Sequence, residues 1–166
     1  VIVTRDKDLG QLLRADDVLW DFAADKYAGP GEVQQKFGVA VEQLADYLAL
    51  AGDAVDNIPG APGIGAKTAV ALLNRFGTLE GLLANIDQVT DSGIRGAKKI
   101  SKILSEYAPM LRIYRQITAI ECDVPMTVTA AELELAPMDV AALTAFCDEM
   151  AFGARIRDRI GKLNHG

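Results

Sequence analysis

The sequence predicts an α/β protein that is mostly helical, with two strands near its start and helices in the rest. Two short apolar runs, residues 1–3 and 18–22, are rich in branched and aromatic side chains, which is typical of strands. Beyond them, apolar residues recur at spacings of three and four, as on one face of a helix. The 166 residues are 50% hydrophobic, which is enough to bury a core.

The first 38 residues are predicted to hold both strands and two short helices. Residues 1–3 are expected to form a buried parallel strand, because all three are apolar. Leucines within residues 9–13 follow at one-turn spacing and predict a short helix. After the second strand, Pro30 opens another helix, which runs to Phe37 and ends at Gly38.

The remaining residues are predicted to be helical with one extended interruption. Helices are expected over residues 41–48, 66–76, 79–83 and 97–114, and from Pro137 to residue 147. Pro109 should kink or split the longest of these, because proline removes a backbone donor and clashes with the preceding turn. Residues 117–128 contain Pro125 and predict an irregular or edge strand.

Composition and charge exclude several classes of protein. The net charge of −6 would repel nucleic acid except at a local basic patch. No apolar run is long enough to predict a membrane span. The first residues do not have the pattern of a signal peptide. Because they lack methionine and begin within a predicted strand, they indicate a fragment of a longer protein. Cys122 and Cys147 are expected to be buried free thiols of a cytoplasmic protein. The single histidine, His165, lies near the end, so chemistry is expected to rest on carboxylates and lysines.

A loop rich in glycine and proline, residues 57–65, interrupts the helices. Ala66 separates its last glycine from Lys67, and Thr68 follows, so neither the phosphate-loop nor the dinucleotide-binding pattern is met. The pattern favours a helix–hairpin–helix element, in which the glycines let a phosphodiester approach and the N–H groups opening the next helix bind a phosphate oxygen. Ile64 would fill the core beneath the hairpin. An ordinary tight connection between helices is the alternative.

A weaker copy of this pattern occurs at residues 93–98, one residue longer than the first. Around it six cations stand against Glu106 alone, which gives a local charge of +5. The cations are Arg95, Lys98, Lys99, Lys102, Arg112 and Arg115. This is the local basic patch that DNA binding by an acidic chain requires, and a solvated basic helix face is the alternative.

Two pairs of aspartates suggest a metal site. Asp6 and Asp8 directly follow the first strand, where ligands gather in open α/β sheets. Asp53 and Asp56 are three residues apart and share a face if the turn between them is helical. Carboxylate oxygens suit Mg²⁺ or Mn²⁺, and such clusters promote metal-assisted phosphodiester hydrolysis. A helix cap or a solvated loop is the alternative for each pair.

Two strings, TRDKDLGQL at residues 4–12 and LALAGDAVDNIPGAPGIGAKTA at residues 48–69, together resemble the bacterial 5′–3′ exonuclease and flap endonuclease family. This family includes the 5′-nuclease domain of DNA polymerase I. The resemblance extends over essentially the whole chain and is looser in the later helices. It implies the C-terminal part of a PIN-like nuclease core over residues 1–38 and a helix-three-turn-helix DNA-binding domain over residues 39–166. The family's other acidic ligands and its arch precede these motifs.

The resemblance also implies roles for individual residues. The catalytic metal ligands would be Asp6, Asp8, Asp53 and Asp56. The duplex-binding residues would be Gly63, Ile64, Gly65, Lys67 and Thr68 of the hairpin, with Lys98, Lys99 and Lys102 of the second basic region. Arg5 stands where the family usually has glycine. The implied cofactors are two or more Mg²⁺ or Mn²⁺ ions and a K⁺ ion on carbonyl oxygens of the hairpin, with no small-molecule cofactor.

The functional prediction is a structure-dependent, sequence-independent DNA 5′-nuclease of replication and repair. It would act in the cytoplasm, as a monomer, on duplex DNA with a 5′ flap or 5′ end. This chain would supply part of the metal site and most of the surface that binds duplex DNA. On its own it would show little or no cleavage. The alternatives are a non-catalytic helix–hairpin–helix module that binds duplex DNA and a helical protein-interaction domain.

Overall fold

The computed structural model describes residues 1–134 and 137–163, and it confirms a mostly helical protein with a small sheet. His165 lies outside the described residues. The chain forms two compact units, residues 1–122 and 123–166. No helix within the described ranges is long and apolar enough to cross a membrane.

The sheet of the first unit has three strands in the order β1–β2–β3. Strand β1 (Ile2–Val3) pairs in parallel with β2 (Leu19–Asp21), which pairs antiparallel with β3 (Lys26–Ala28). The parallel pairing matches the sequence prediction. The prediction of a buried first strand is wrong, because the side chains of Val1 and Val3 are exposed at the sheet edge.

The third strand was not predicted, because its hairpin is held by a side chain rather than by a glycine turn. Asp21 accepts hydrogen bonds from two successive backbone N–H groups of the turn, and Asp25 adopts the left-handed conformation with φ of 48°. Trp20 and Tyr27 then stack across the two strands with ring centroids 5.5 Å apart.

The first unit contains six α-helices and two short 3-10 helices. The 3-10 helices span Lys7–Leu12 and Val41–Gln43. The α-helices are α1 (Pro30–Phe37), α2 (Leu44–Ala51), α3 (Ala66–Phe76), α4 (Leu79–Ala84), α5 (Ile86–Val89) and α6 (Ala97–Thr118). Gly38 ends α1 in the left-handed conformation as predicted, and Thr78 caps α4 through a bond from the Gly81 N–H.

Helix α6 corrects two predictions. It continues through Pro109 without a break, so the proline does not split it. Pro109 and Ser105, whose carbonyl loses its helical N–H donor at position 109, are both exposed. The helix also continues to Thr118, and residues 119–129 form no strand, so the prediction of an edge or irregular strand over residues 117–128 is wrong. Packing of the buried face of α6 against α2 and α5 outweighs the local effect of proline.

Two apolar clusters meet at α2. The larger is built from α2, α3, α4, α5 and α6, with Leu50, Leu72 and Leu104 fully buried. The smaller joins α1 and α2 to the 3-10 helices and the sheet, and Leu44 is its fully buried member. Because α2 is fixed from both sides, the loop that leaves its C-terminus begins at a defined position.

A buried carboxylate on α2 joins three helices. Asp46 is only 5% exposed; it accepts a hydrogen bond from the Leu79 N–H at 2.9 Å and pairs with Arg115 of α6. Sequence reasoning assigned Arg115 to a basic surface and gave Asp46 no role. The pair instead anchors the start of α4 and the end of α6 to α2.

Replacing Asp46→Ala is expected to lower the free energy of unfolding by about 2–4 kcal/mol, because it leaves the Leu79 N–H without an acceptor and removes the partner of Arg115. Urea unfolding followed by circular dichroism measures this loss. Asp46→Asn retains an acceptor oxygen and should lose less. Equal losses in the two variants would contradict the proposed role of the bond to Leu79.

The second unit holds a 3-10 helix (Ala130–Leu133), α7 (Val140–Glu149) and α8 (Ala154–Leu163). Helix α7 begins three residues later than predicted, because the Asp139 carboxylate, and not Pro137, caps its N-terminus by accepting from the Ala142 N–H.

The two cysteines are free, and they differ in burial. Cys147 on α7 is buried, as predicted. Cys122, at the end of the first unit, is exposed, so the expectation of a buried thiol is wrong for this residue. Its segment has no regular structure and leaves the core after α6 ends.

Candidate functional site

Two glycines shape the loop that follows α2. Gly52 and Gly60 have φ of 83° and 69°, values that glycine adopts without strain. Between them the backbones of Asp53 and Ile58 exchange two hydrogen bonds of 2.8 Å, which close a tight turn. The backbones of the two glycines lie so close that a Cβ added to Gly60 would stand 2.4 Å from the Gly52 nitrogen. The turn is therefore fixed at both ends.

This turn places two carboxylates on the same side. Asp53 is buried; its Oδ1 accepts from the Val55 N–H at 3.0 Å, which leaves Oδ2 for another partner. Asp56 is exposed and follows within the same turn. The turn is closed by a β-bridge rather than being helical, so the two aspartates converge by a different geometry from the one predicted.

A third carboxylate comes from the 3-10 helix after β1. Asp8 contributes one oxygen, and Asp53 and Asp56 contribute one each, all within 4.8 Å of one another; we call these three residues the carboxylate cluster. Asp6 is not in the cluster. It caps the 3-10 helix by accepting the Asp8 N–H at 3.0 Å, and it lines the same cavity of about 310 Å³ as Asp8 and Asp56.

A lysine lies at the carboxylate cluster. Lys7 Nζ is 3.2 Å from Asp8 Oδ1, 2.5 Å from Asp53 Oδ2 and 3.7 Å from Asp56 Oδ2. Sequence reasoning gave Lys7 no role, although it stands between Asp6 and Asp8. Three carboxylates and one ammonium leave a formal charge of −2 at the site, so it attracts a divalent cation even with Lys7 in place.

Burial and the ammonium act on the cluster in opposite directions. Burial raises the pKa of the Asp8 carboxyl above its usual value, an effect that Lys7 only partly offsets. Burial also acts to raise the pKa of Asp53, but Lys7 and the Val55 N–H outweigh it, so this pKa lies below the usual value. Burial acts to lower the pKa of Lys7, and the contacts with Asp53 and Asp8 reverse this and raise it. Lys7 and Asp53 are therefore both charged at neutral pH.

The carboxylate cluster fits a hard divalent cation. Asp8 Oδ1 and Asp53 Oδ2 are buried and accept no well-aligned hydrogen bond from any described residue. The ammonium of Lys7 lies within ion-pair distance of both oxygens but is not aligned for a hydrogen bond to either. Such oxygens are ligands that a metal ion would satisfy. Oxygens that share one Mg²⁺ lie at most about 4.2 Å apart, so the observed separations need only a small inward movement.

The glycine loop forms an open hairpin before α3. Gly63 has φ of 77°, and neither Gly63 nor Gly65 has any atom within 4 Å of the place where a Cβ would stand, so the backbone surface there is open. Ile64 is 2% exposed and packs into the larger core, so it contributes to this surface only through its backbone. Lys67 is exposed and Thr68 half-buried in the first turn of α3, where the opening N–H groups have no helical acceptor.

The second glycine loop repeats this geometry in part. Gly93, like Gly63, is left-handed with φ of 75°, but Gly96 has φ of 82° where Gly65 is extended with φ of −89°. Ile94 is partly buried against the same core in which Ile64 is buried. Helix α6 begins directly after Gly96, as α3 begins after Gly65.

The basic patch is smaller than the sequence predicted. Arg115 pairs with Asp46, and Arg112 makes two hydrogen bonds of 2.9 Å to the Glu80 carboxylate, so both are held in ion pairs. Lys102 lies 3.8 Å from Glu106. Of the cations at the two glycine loops, Arg95, Lys98 and Lys99 at the second loop and Lys67 beside the first form no ion pair with a described residue.

Comparison with known proteins agrees with these features. A family model described as "5'-3' exonuclease, C-terminal SAM fold" matches residues 39–141. The chain is 34% identical over 135 residues to a 5'-3' exonuclease of Buchnera aphidicola subsp. Schizaphis graminum, a match that covers 81% of this chain and 47% of that protein. It is 39% identical over 153 residues to a DNA polymerase I of Pseudomonas aeruginosa, covering 92% of this chain and 17% of that protein.

Solved structures agree with this relationship. A structure of T5 5'-exonuclease with divalent zinc ions bound superimposes with a TM-score of 0.59 at 26% identity, covering 70% of this chain and 41% of that one. The chain thus spans about half or less of the length of the relatives it matches. Because the family model matches more than half of the sequence, the chain belongs to the 5′–3′ exonuclease family, with that family's C-terminal SAM fold.

Proposed function

We propose that this chain is the C-terminal portion of a metal-dependent DNA 5′-nuclease, a 5′–3′ exonuclease and flap endonuclease. The observation that carries the proposal is the convergence of Asp8, from the 3-10 helix after β1, with Asp53 and Asp56, which directly precede the glycine hairpin in the chain. Residues 1–38 would form the C-terminal part of a nuclease core, and residues 39–166 would bind the duplex. The likeness to a zinc-bound 5'-exonuclease supports a metal at the site.

The carboxylate cluster would hold the metal. Asp53 is the most rigid ligand, since its other oxygen is fixed by the Val55 N–H and its backbone by the bridge to Ile58. Asp8 is oriented by the Asp6 cap, and we propose Asp6 as a further ligand from the wall of the shared cavity. A bound Mg²⁺ or Mn²⁺ supplies an activated water and neutralises charge on the attacked phosphate.

The hairpin would hold the duplex through its backbone. The open surface at Gly63 and Gly65 and the first N–H groups of α3 suit a phosphate oxygen, and Lys67 adds a cation. Lys98, Lys99 and Lys102 at the second loop would contact phosphates further along. Since these residues would contact only the DNA backbone, binding would lack sequence preference.

The double substitution Lys67→Ala with Lys98→Ala is expected to weaken duplex binding. Each lysine that contacts a phosphate contributes about 0.9 to the slope of log affinity against log salt, so the slope should fall by nearly 2 in the double variant. Fluorescence anisotropy with a labelled duplex at several salt concentrations measures the slope.

A matched pair of substitutions serves as control for this experiment. Arg14→Ala with Lys26→Ala makes the same charge change at exposed positions of the first unit that belong to neither loop. An unchanged slope in the Lys67 and Lys98 variant, or an equal fall in the control, would favour a protein-interaction domain over a duplex-binding one.

Finer features belong to the same proposal. They are a preference for 5′ flaps or 5′ ends, use of Mg²⁺ or Mn²⁺, a K⁺ ion on hairpin carbonyls, monomeric action in the cytoplasm, and a role in replication and repair. Duplex binding in K⁺ compared with Li⁺ at equal ionic strength tests the K⁺ site. Tighter binding in K⁺ is expected, and equal binding would remove this ion from the proposal.

A further inference from the structure

Lys7 lies against the carboxylate cluster rather than in solvent. Its side chain is 27% exposed, and its ammonium lies within 4 Å of all three cluster residues. These contacts join the 3-10 helix after β1 to the turn after α2, which are distant in the sequence. The ammonium therefore takes the position in which a bound cation would contact the same oxygens.

We propose that Lys7 is the internal counter-ion of the carboxylate cluster: it offsets one of the three negative charges in the metal-free chain and must withdraw before a divalent ion binds, so it lowers the affinity for metal. The inference rests on the proposed metal site and describes how that site is regulated.

A metal ion and the Lys7 ammonium compete for the same oxygens. A Mg²⁺ ion bound to Asp53 Oδ2 would lie about 2.1 Å from it. The ammonium already contacts that oxygen at 2.5 Å, so the two cations would be separated by less than about 5 Å. Like charges this close, in a partly buried site, repel strongly. One of the two must leave.

An ordinary structural ion pair would not behave in this way. A single lysine compensates only one of the three carboxylates, and the two remaining negative charges still attract a divalent ion. Lysine also has a flexible four-carbon stem, so the ammonium moves without a change in the backbone. Lys7 borders an open groove of about 380 Å³ with Arg5, Asp6 and Lys36, which provides space for the displaced side chain.

The test is the Mn²⁺ affinity of the 166-residue chain measured by calorimetry at low salt, with Lys7→Met beside the wild type. Lys7→Met is expected to bind Mn²⁺ about 10-fold or more tightly, because the competing charge is gone. In EDTA the same variant should melt at a lower temperature, because three carboxylates then face one another. If Lys7→Met does not fold, as judged by circular dichroism, Lys7→Gln takes its place.

Two variants serve as controls. Lys7→Arg keeps the positive charge and should bind Mn²⁺ nearly as the wild type does. Lys36→Met makes the same charge change in the adjoining groove, where Lys36 forms no ion pair with a described carboxylate. Its affinity should stay within about twofold of wild type, because solvent screens an exposed charge.

Unchanged or weaker Mn²⁺ binding by Lys7→Met overturns the inference. Equal tightening in Lys36→Met also overturns it, since the effect would then be one of net charge alone. An unchanged melting temperature in EDTA shows that Lys7 is not a counter-ion. Failure of the proposed nuclease function gives a different result, namely metal binding with the expected Lys7 dependence but no cleavage of DNA by the complete nuclease. Absence of Mn²⁺ binding in both wild type and Lys7→Met overturns both.

Discussion

Replacing Asp53→Asn together with Asp56→Asn is expected to abolish metal-dependent cleavage of a 5′-flap DNA by the complete nuclease of which we propose this chain to be part. Both substitutions keep the size of the side chain but remove two of the three charges in the carboxylate cluster. Loss of a single charge-stabilising group at an active site typically costs about 10²–10³ in rate, so a fall of at least 100-fold is expected. Gel electrophoresis of the labelled flap in Mn²⁺ measures the rate.

The matched control for this experiment is Asp16→Asn with Asp17→Asn. It removes the same two charges from the loop between β1 and β2, where Asp16 is exposed and Asp17 half-buried, outside the carboxylate cluster. The control enzyme should cleave at nearly the wild-type rate. If the Asp53 and Asp56 variant also cleaves normally while binding DNA as before, the carboxylates are structural, and the alternative of a non-catalytic duplex-binding module is favoured.

Gly60→Ala is expected to be the most destabilising single substitution in the loop that carries the site. The new Cβ would lie 2.4 Å from the Gly52 nitrogen and 2.7 Å from the Leu50 oxygen, and backbone atoms cannot move aside as a flexible side chain would. Overpacking typically costs about 1–3 kcal/mol, and a left-handed alanine adds about 1–2 kcal/mol. A loss of roughly 2–5 kcal/mol in unfolding free energy is therefore expected from urea denaturation.

Gly63→Ala is a control that separates the cost of a left-handed backbone from the cost of the steric clash at Gly60. Gly63 is also left-handed, with φ of 77°, but nothing lies within 4 Å of its added Cβ. It should lose only the strain component, about 1–2 kcal/mol. Equal losses at the two positions would show that the close approach of Gly52 and Gly60 does not fix the loop. A weakened Mn²⁺ affinity in any folded Gly60→Ala protein would link this approach to the position of Asp53.

Local signals were sufficient to predict much of the helical half of the fold. Glycine ends α1 and α3 where the sequence placed those ends, and Thr78 caps α4 as expected, because these rules depend only on neighbouring residues. The burial of Ile64 beneath the hairpin was likewise predictable from its position between two glycines. The strand hairpin at Asp21 and the unbroken α6 were missed, because they depend on side-chain capping and tertiary packing.

In the candidate site, too, features that depend on local sequence were predicted and features that depend on tertiary packing were missed. Sequence identified Asp8, Asp53 and Asp56, and the structure brings them together, while Asp6 lies beside them as a cap. No sequence rule indicates that Lys7 turns toward the cluster, because that depends on how the 3-10 helix meets the turn after α2. The Asp46 and Arg115 pair was missed for a similar reason, since the partners belong to different helices and only their burial reveals the pair.

The most direct test of the account is to locate Mn²⁺ on the 17.7 kDa chain by paramagnetic broadening of its NMR signals. The account predicts saturable binding that broadens the amide signals of Asp8, Asp53 and Asp56 and their neighbours first, with the effect lost in the Asp53→Asn and Asp56→Asn variant. Broadening that begins at the acidic loop of residues 16–17, or that persists unchanged in the variant, would contradict it.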